Sequence, residues 1–413
     1  MRITRSDDAQ TISDRRVELI VWMLALTTFA YVSLSVSLSP LLTSIATTFG
    51  VSESAAGQLA TIQGVVGTIS ALVSAPWMNR YPRRTWLRAE LALLCVGVAL
   101  AALAPSFAVI VVARVITGIA AGALVANCFT AAGEVVRDPQ RQGRAVGIVA
   151  SGTTIATMIG LPMVAWLNGL FGWRWAMACL LIPMGLALAG TSLLPRGVRE
   201  HDEDESHGEA IDSGALRQVM RGDRATLVLI VVGGVIFVAY IGWVTYYSAY
   251  VERDFDGDAR LIGLLFLVGG VFELAGNFLA PALSHRAPVR WITIAGAAGI
   301  ALALLGSGVV FRTTTGLIAG IALLHLATSF AYVGLNTLLL RRPAAIRGTV
   351  MALSSAAVGF GGAMGALIGG VVLSRTDDYE SIFHVLGAVM AAGAAALVVA
   401  LRSSDETRME LEE

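Results

Sequence analysis

Long apolar runs separated by short polar intervals dominate this chain. Twelve such runs occur, and only the eighth contains a charged residue, Glu273. Each run is long enough for the roughly 20 residues with which a helix crosses a lipid bilayer. The pattern therefore predicts twelve transmembrane helices, numbered here along the chain: 19–52, 54–79, 91–113, 115–133, 145–173, 175–195, 225–251, 261–284, 291–311, 313–340, 348–374 and 381–401.

The first run contains the one local signal for a different structure. Ser33, Ser35, Ser37 and Ser39 alternate with apolar residues, a period of two that is typical of a half-buried strand. Within a bilayer a backbone segment must satisfy its own hydrogen bonds, which a helix does. We therefore predict helix here, with serine hydroxyls bonded to the preceding turn. The run is also too long for the apolar core of a cleaved signal peptide.

Composition supports a membrane protein and excludes several other classes. Hydrophobic residues make up 56% of the 413 residues and charged residues only 14%, and the mean hydropathy is +0.74. Soluble domains carry about 25% charged residues. The net charge of zero argues against nucleic acid as a partner. All 29 basic residues are arginine, so the lysine of a phosphate-binding loop is missing and the chain does not carry its own ATPase.

The sequence also lacks the residue patterns that are typical of an enzyme active site or a metal site. Cys95, Cys128 and Cys179 lie in apolar runs without ligand spacing, which gives neither a disulfide framework nor a zinc site. No metalloprotease motif occurs. We therefore predict no catalytic residues, no metal and no cofactor, and an intramembrane enzyme is a poor alternative.

The positions of the arginines predict the orientation of the chain. With the N-terminus in the cytoplasm, 23 arginines fall on cytoplasmic segments and five on the opposite side, and Arg114 remains inside the fourth helix. An excess of positive residues marks the cytoplasmic side of a membrane protein. We therefore predict a multi-pass protein of the cell inner (plasma) membrane with both termini cytoplasmic.

A polar interval divides the chain into two similar halves. Residues 196–224 form the longest polar segment, and its acidic cluster between His201 and His207 is typical of a solvated charge run, with a metal site as the weaker alternative. The halves match at an offset of 205 residues, as in Gly64 with Gly269 and Gly143 with Gly348. Parallel repeats of this kind build transporters from two bundles around a central site.

These observations predict an all-α integral membrane protein with twelve transmembrane helices in two pseudo-symmetric six-helix bundles. The expected parts are a cytoplasmic tail (1–18), a first bundle (19–195), a cytoplasmic linker (196–224), a second bundle (225–401) and a cytoplasmic tail (402–413).

The loop between helices two and three resembles a family signature. Residues 79–84, Asn-Arg-Tyr-Pro-Arg-Arg, preceded by Ala75, resemble the Gly-x-x-x-Asp-Arg-x-Gly-Arg-Arg motif of the major facilitator superfamily. Arg80, Arg83 and Arg84 match the motif, whereas Asn79 replaces its aspartate. In the family this aspartate pairs with arginines and helix ends to latch the outward-facing state, so the resemblance implies a weaker latch here.

Two further motifs narrow the resemblance. Arg114 and Gly118 in helix four resemble the Arg-x-x-x-Gly motif of proton-driven exporters, and Gly160 and Pro162 in helix five resemble the Gly-x-Pro motif that marks antiporters. The resemblance covers residues 19–401 and is closest to the twelve-helix drug:proton antiporter family, in particular its sugar- and purine-efflux branch. It implies alternating access driven by a proton gradient.

Charged groups inside the membrane are the candidates for coupling, because each costs several kcal/mol unless it is paired or faces water. Arg114 shares a helix face with small residues, and it either modulates a proton pathway or holds helix-end carbonyls. Glu273 is the only acid well inside a hydrophobic run, and it either binds and releases protons or serves as a neutral packing residue. His325 is its possible partner, since histidine titrates near neutral pH.

Polar and aromatic positions near these charges are the candidates for a substrate cavity. Helix ten carries a polar stripe at helical spacing that lipid would not tolerate, and helices one, seven and eight add further residues. The stripe includes His325, Thr328, Ser329, Tyr332 and Asn336, and the other candidates are Tyr31, Tyr240, Trp243 and Asn277.

The sequence therefore predicts a secondary active transporter. We expect proton-coupled efflux of a small organic molecule such as a drug, sugar or nucleoside-like metabolite, by a monomer whose partners are substrate, protons and the bilayer. The alternative is a proton-coupled uptake symporter or a facilitator, and the Gly160–Pro162 motif favours export.

Overall fold

A computed structural model describes residues 14–74, 77, 81–136, 138–195, 219, 224–310 and 313–412. The described residues form helices joined by short turns, and none of them forms a strand. Residues 1–13 of the predicted tail, most of the predicted linker (196–218 and 220–223), and Asn79 and Arg80 of the signature loop lie outside the described residues.

The first half of the chain forms six membrane-spanning segments, several of which are interrupted. A π-helical turn, Ala156–Gly160, joins α6 to α7, and the 3-10 turn Thr191–Leu193 follows α9. The helices are α1 (Asp14–Val36), α2 (Leu38–Phe49), α3 (Glu53–Ser74), α4 (Arg83–Ala102), α5 (Phe107–Val135), α6 (Pro139–Ile155), α7 (Leu161–Phe171), α8 (Trp173–Cys179) and α9 (Leu181–Gly190).

The second half forms six further segments that are mostly continuous. The last helix runs through the predicted C-terminal tail as far as Glu412. The helices are α10 (Arg224–Phe255), α11 (Ala259–Leu283), α12 (Val289–Leu305), α13 (Ser307–Val310), α14 (Thr314–Leu340), α15 (Ala344–Thr376) and α16 (Tyr379–Glu412).

The fold class predicted from the apolar runs is confirmed. Eleven segments of the described chain are helical, long and apolar enough to cross a membrane. The ninth predicted run forms α12, an apolar helix of 17 residues, followed by the short α13. The serine-rich stretch of the first run is helical, and the Ser37 hydroxyl donates to the carbonyl of Leu34 at 2.7 Å, so helix and not strand forms there.

The predicted boundary between the third and fourth helices is wrong. The runs were divided at the charge of Arg114, but the chain turns at residues 103–106, and α4 begins eight residues before the predicted run, at Arg83. The turn contains Pro105, which has no backbone N–H to donate to a helix. A charged side chain leaves the backbone hydrogen bonds of a helix intact, whereas proline removes one of them.

Prolines also account for two interruptions in the first half, namely the break between α1 and α2 and the π-helical turn between α6 and α7. Pro40 cannot donate to the carbonyl of Val36, where α1 ends, and Pro162 cannot donate to that of Met158, inside the π-helical turn. Helical irregularities of this kind are frequent at functional sites. Both interruptions lie in segments that contact the second half.

The two halves meet mainly where α2 contacts α10, where α3 contacts α15, and where α11 contacts α7 and the π-helical turn before it. We call the end of the protein that carries the turns at Gly50, Gly172 and Asp377 the distal end, and the end where α1 begins the terminal end. At the distal end the hydroxyls of Ser39 and Ser248 lie 2.9 Å apart.

Contacts between the halves extend from the distal end past the middle of the bundle. Ser54 donates its hydroxyl to the carbonyl of Gly370 at 2.7 Å, and the hydroxyl of Tyr379 donates to the carboxylate of Glu53. Deeper in the protein, the amide of Asn277 in α11 reaches the hydroxyl of Thr154 in α6 at 3.5 Å. The distal end is therefore held together by polar contacts between the halves.

Candidate functional site in the membrane

The structure brings Glu273 and His325 into direct contact. Glu273 lies in α11 and His325 in α14, and the Oε2 atom of Glu273 is 3.0 Å from Nδ1 of His325. The histidine side chain is 2% exposed and the glutamate side chain 21%. The second ring nitrogen of His325, Nε2, has no hydrogen-bond partner among the described residues. The pair therefore joins a buried base to an acid that is open on one side.

Two glycines of α11 allow this contact. A Cβ at Gly269 would lie 2.7 Å from the His325 ring, and a Cβ at Gly276 would lie 2.6 Å from Cβ of Ser329. Both glycines face α14, so the two helices approach more closely than larger residues allow. Ser329 also donates its hydroxyl to the backbone carbonyl of Glu273 at 2.9 Å, which fixes the position of α11 against α14.

Aromatic side chains of α10 surround the pair. The rings of Tyr240 and Trp243 meet that of His325 edge to face, with centroids 5.5 and 5.9 Å away. The Tyr240 hydroxyl also approaches the carboxyl group of Glu273. Trp243 is fully buried, so it supports the wall, whereas Tyr240 is 8% exposed and lies beside the acid.

The open side of Glu273 faces the junction between the halves. Gly270, three residues before it, packs against Met158 in the π-helical turn, and Asn277, four residues after it, reaches Thr154. Because residues three and four positions apart share a helix face, Glu273 lies on the face of α11 that looks toward the first half. The carboxyl group is therefore placed where a substrate between the two halves could reach it.

The polar stripe of α14 divides into a buried and an open part. His325 and Ser329 are buried against α11, whereas Tyr332 is 37% exposed. The Tyr332 ring contacts Phe237 of α10 with centroids 5.3 Å apart, and the amide of Asn336 donates to the carbonyl of Tyr332 within the same helix. The stripe thus leads from the Glu273–His325 pair toward the terminal end.

Arg114 lies in the other half and bonds to a different partner. Its Nη1 atom donates to Oε1 of Gln63 in α3, and the side chain is 2% exposed. Its Nε and Nη2 atoms have no hydrogen-bond partner among the described residues. The structure therefore places Arg114 as a buried fixed charge inside the first half, bonded to α3 rather than to Glu273 or His325.

The small residues of the two antiporter-like motifs lie at helix contacts. A Cβ at Gly118 would lie 2.9 Å from the backbone oxygen of Gln63, so this glycine packs α5 tightly onto α3. A Cβ at Gly160 would lie 2.2 Å from the Ser33 hydroxyl, which places α1 against the π-helical turn that precedes Pro162. Tyr31 of α1 is half-buried in the same half, beside Ser35.

The described arginines of the signature loop bind inside their own half. Arg83 donates from Nε to the Glu134 carboxylate at 3.3 Å and from Nη1 to Oδ1 of Asn127 at 3.2 Å. Arg84 donates to the carbonyl of Leu194 at 3.4 Å. These contacts tie the start of α4 to the terminal ends of α5 and α9.

A second acid also lies inside a membrane-spanning helix of the described chain. Glu90 lies two turns into α4, is 6% exposed, and accepts from the amide of Asn127 at 3.0 and 3.1 Å. The division into apolar runs assigns Glu90 to the loop between the second and third runs, because the third run begins at residue 91. Helical spacing reveals it, since Leu87, Glu90 and Leu91 fall on one face, and all three are buried.

Comparisons with known proteins agree with the architecture. The family model described as Major Facilitator Superfamily matches residues 23–338 and 233–412. A chloramphenicol resistance protein of Streptomyces lividans is 27% identical over 392 residues, which are 92% of this chain and 95% of that protein. A chloramphenicol efflux pump of Mycobacterium tuberculosis is 32% identical over 187 residues, 45% of each chain.

Some relatives match over part of their length only, and a solved structure matches almost throughout. The chain spans 61% of a Bacillus subtilis MFS-type transporter to which it is 25% identical. A bacterial homologue of the human lysosomal transporter Spinster, solved in an inward-facing and unoccupied conformation, superposes with a TM-score of 0.73 at 16% identity and covers 94% of this chain and 96% of its own. The chain belongs to the Major Facilitator Superfamily and is a multi-pass membrane transporter rather than an enzyme.

Proposed function

We propose that this transporter exports a neutral aromatic small molecule of the chloramphenicol type in exchange for protons. The observation that carries the proposal is the Glu273–His325 contact at 3.0 Å, with the acid open toward the first half and aromatic rings around it. The acid and base provide the proton site, and the aromatic wall provides the substrate surface.

The chemistry of the pair suits exchange. With one shared proton, Glu273 and His325 are either an ion pair or a neutral pair, and the net charge is zero in both cases. A second proton neutralises the carboxylate and leaves an imidazolium, so the ion pair is lost. A substrate hydroxyl or amide N–H that donates to the carboxylate favours its ionised form. Substrate and the second proton therefore compete, which is the requirement for antiport.

Arg114 contributes a fixed charge in this scheme. Arginine stays protonated in proteins, so it cannot carry the transported proton itself. Among the described residues the Arg114 side chain bonds to a neutral amide and to no carboxylate, so this buried positive charge disfavours an additional cation between the halves. We infer that Arg114 helps to expel the proton from the pair toward water.

The proposed substrate class rests on the aromatic side chains beside Glu273 and on the related proteins that the chain matches. Tyr240, Phe237 and Tyr332 form a continuous set of edge-to-face aromatic contacts beside the acid, and aromatic ligands stack on such surfaces. Two relatives are a chloramphenicol resistance protein and a chloramphenicol efflux pump. Chloramphenicol combines an aromatic ring with hydroxyl and amide donors, which matches a wall that carries one carboxylate.

Transport in everted membrane vesicles tests direction and coupling. With an acidic vesicle interior, we expect labelled chloramphenicol to accumulate inside, and a protonophore to abolish the accumulation. Accumulation only under the opposite gradient would identify an uptake symporter, and equilibration without accumulation would identify a facilitator. Either outcome contradicts the proposal.

A substitution at the pair tests the proton site. Glu273→Gln mimics the protonated acid, so we expect gradient-driven accumulation to be lost while counterflow exchange of chloramphenicol continues. The matched control is Glu18→Gln, the same chemical change at an exposed position of α1. Purified wild-type protein should release protons when chloramphenicol binds, and Glu273→Gln should not. Full gradient-driven transport by Glu273→Gln would show that the coupling site lies elsewhere.

The predicted orientation of the chain in the membrane is tested by a separate labelling experiment. The arginine distribution predicts that residues 196–224 lie in the cytoplasm. A cysteine introduced by Glu205→Cys should react with a membrane-impermeant thiol reagent in everted vesicles and not in intact cells. Reaction in intact cells would reverse the orientation, and the transport proposed here would then be import.

A further inference from the structure

We propose that Glu90 is a second proton-binding group, and that Asn127 transmits its protonation state to Arg83 of the signature loop. This site lies in the first half, between α4 and α5, and uses none of the residues that form the Glu273–His325 pair. It therefore stands independently of the proposed drug export.

The hydrogen bonds of Asn127 join an acid to a base. Its amide nitrogen donates to both carboxylate oxygens of Glu90, at 3.0 and 3.1 Å, while its Oδ1 atom accepts from Nη1 of Arg83 at 3.2 Å. Asn127 is fully buried, so its amide is shielded from bulk solvent. The orientation of one amide thus satisfies an anion on one side and a cation on the other.

Protonation of Glu90 weakens this arrangement. A neutral carboxyl group carries an O–H donor on one oxygen, so the amide nitrogen keeps a strong bond to the carbonyl oxygen alone. If the amide turns over, its oxygen accepts from the carboxyl O–H, and its NH₂ group faces the guanidinium of Arg83. Donor then opposes donor, so Arg83 loses its bond to Asn127 and retains the one to Glu134.

A cavity lies beside Glu90. A space of about 110 Å³ lies between α3, α4 and α5, and its lining includes Glu90, Trp86, Ser70 and Ser74. Ser74 ends α3 and Trp86 lies in the first turns of α4, so the cavity is near the terminal end. The Nε1 atom of Trp86 is buried and has no partner among the described residues, so the cavity offers a donor to a water molecule beside the carboxyl group.

Few other charges act on Glu90. Arg83 from its own helix and the Cys128 thiol from α5 are the ionisable groups that interact with it most closely. The serines of α3 are neutral. Arg88, on another face of α4, bonds to the Thr191 hydroxyl that follows α9. Besides its burial, the groups that most influence the response of Glu90 to pH are therefore Asn127 and Arg83.

Infrared difference spectroscopy of the purified transporter over a pH titration tests the site. We expect a protonated-carboxyl band that rises as the pH falls, is lost in Glu90→Gln, and is retained in Glu273→Gln. A band that Glu90→Gln leaves unchanged would overturn the proposal.

Substitutions of the partners test the relay and do not depend on the folding of Glu90→Gln. Asn127→Leu removes the donor to the carboxylate, and Arg83→Gln removes the cation, so each should move the band to higher pH by about one pH unit. Arg84→Gln is the matched control, because the neighbouring arginine donates to the carbonyl of Leu194, and it should move the band much less. If neither Asn127→Leu nor Arg83→Gln moves the band more than Arg84→Gln does, the relay is refuted.

Discussion

The two halves of this transporter each place a carboxyl group inside a membrane-spanning helix, but they give it different partners. Glu273 in the second half contacts the imidazole of His325 and is 21% exposed on its side chain. Glu90 in the first half contacts the amide of Asn127 and is 6% exposed. A base can take the proton that the acid gives up, whereas an amide can only reorient.

This difference assigns different tasks to the two acids. Glu273 is open toward the junction between the halves, where substrate and protons arrive in the proposed exchange, and His325 can hold a proton beside it. Glu90 is buried within the first half, where its protonation acts on Asn127 and Arg83. We therefore expect the second half to carry the transported proton and the first half to respond to pH through its contacts.

The largest expected effect comes from a double-mutant cycle on the pair. Glu273→Gln and His325→Gln should each lower gradient-driven transport at least tenfold, and the double variant should be little worse than either one. Residues that act as a unit show this strong non-additivity. Transport rates in vesicles, normalised to the amount of inserted protein, measure the cycle. Additive losses would show that the two residues act separately.

The second-largest effect is expected from a substitution that disturbs the close approach of α11 to α14. Gly276→Ala places a methyl group about where Ser329 lies, and overpacking of this kind costs about 1–3 kcal/mol. We expect a lower melting temperature in detergent together with reduced transport.

Gly185→Ala in α9 is the matched control, because no atom lies within 4 Å of its added methyl group. Alanine is a better helix former than glycine by about 1 kcal/mol. The control should be neutral or stabilising, and equal destabilisation by both changes would argue against tight packing at Gly276.

A smaller effect is expected at the signature loop. Arg83→Lys cannot make both directed bonds, to Glu134 and to Asn127, that the guanidinium makes. We expect transport to fall about three- to tenfold with membrane insertion intact, a larger fall than that of Arg84→Lys. Equal and normal transport by both variants would mean that the two arginines serve only to orient the chain in the membrane.

The smallest effect is expected at the distal surface. The side chains of Arg253 and Asp377 pair at 3.1 Å but are 41% and 92% exposed. Exposed ion pairs contribute less than about 1 kcal/mol and weaken in salt. Arg253→Gln should therefore change the melting temperature by at most a few degrees, and high salt should reduce the difference. A large loss would show that distal closure depends on this pair.

The sequence located one of the two acids and missed the other for a definable reason. Glu273 interrupts an otherwise uncharged run, so counting charges finds it. Glu90 stands two residues after Arg88 and next to the predicted start of a run, so the same count assigns it to a loop. Only the helical spacing of Leu87, Glu90 and Leu91 indicates burial, and it becomes decisive once α4 is known to begin at Arg83.

The length of the apolar runs and their separation by arginines determined the class of this protein. A bilayer imposes a nearly one-dimensional constraint, in which each segment must be apolar over a fixed length and helical throughout, and local sequence is enough to satisfy it. The signature loop between helices two and three similarly indicated the superfamily to which the chain belongs.

The tertiary structure alone decided which side chains meet. Glu273 and His325 are 52 positions apart, and Glu90 and Asn127 are 37 positions apart. Their contacts depend on how α11 rotates against α14 and α4 against α5. Small residues such as Gly269 and Gly276 set those rotations by allowing close approach at one face only. This information resides in the complementarity of two helix surfaces, which neither run length nor charge counting along one segment contains.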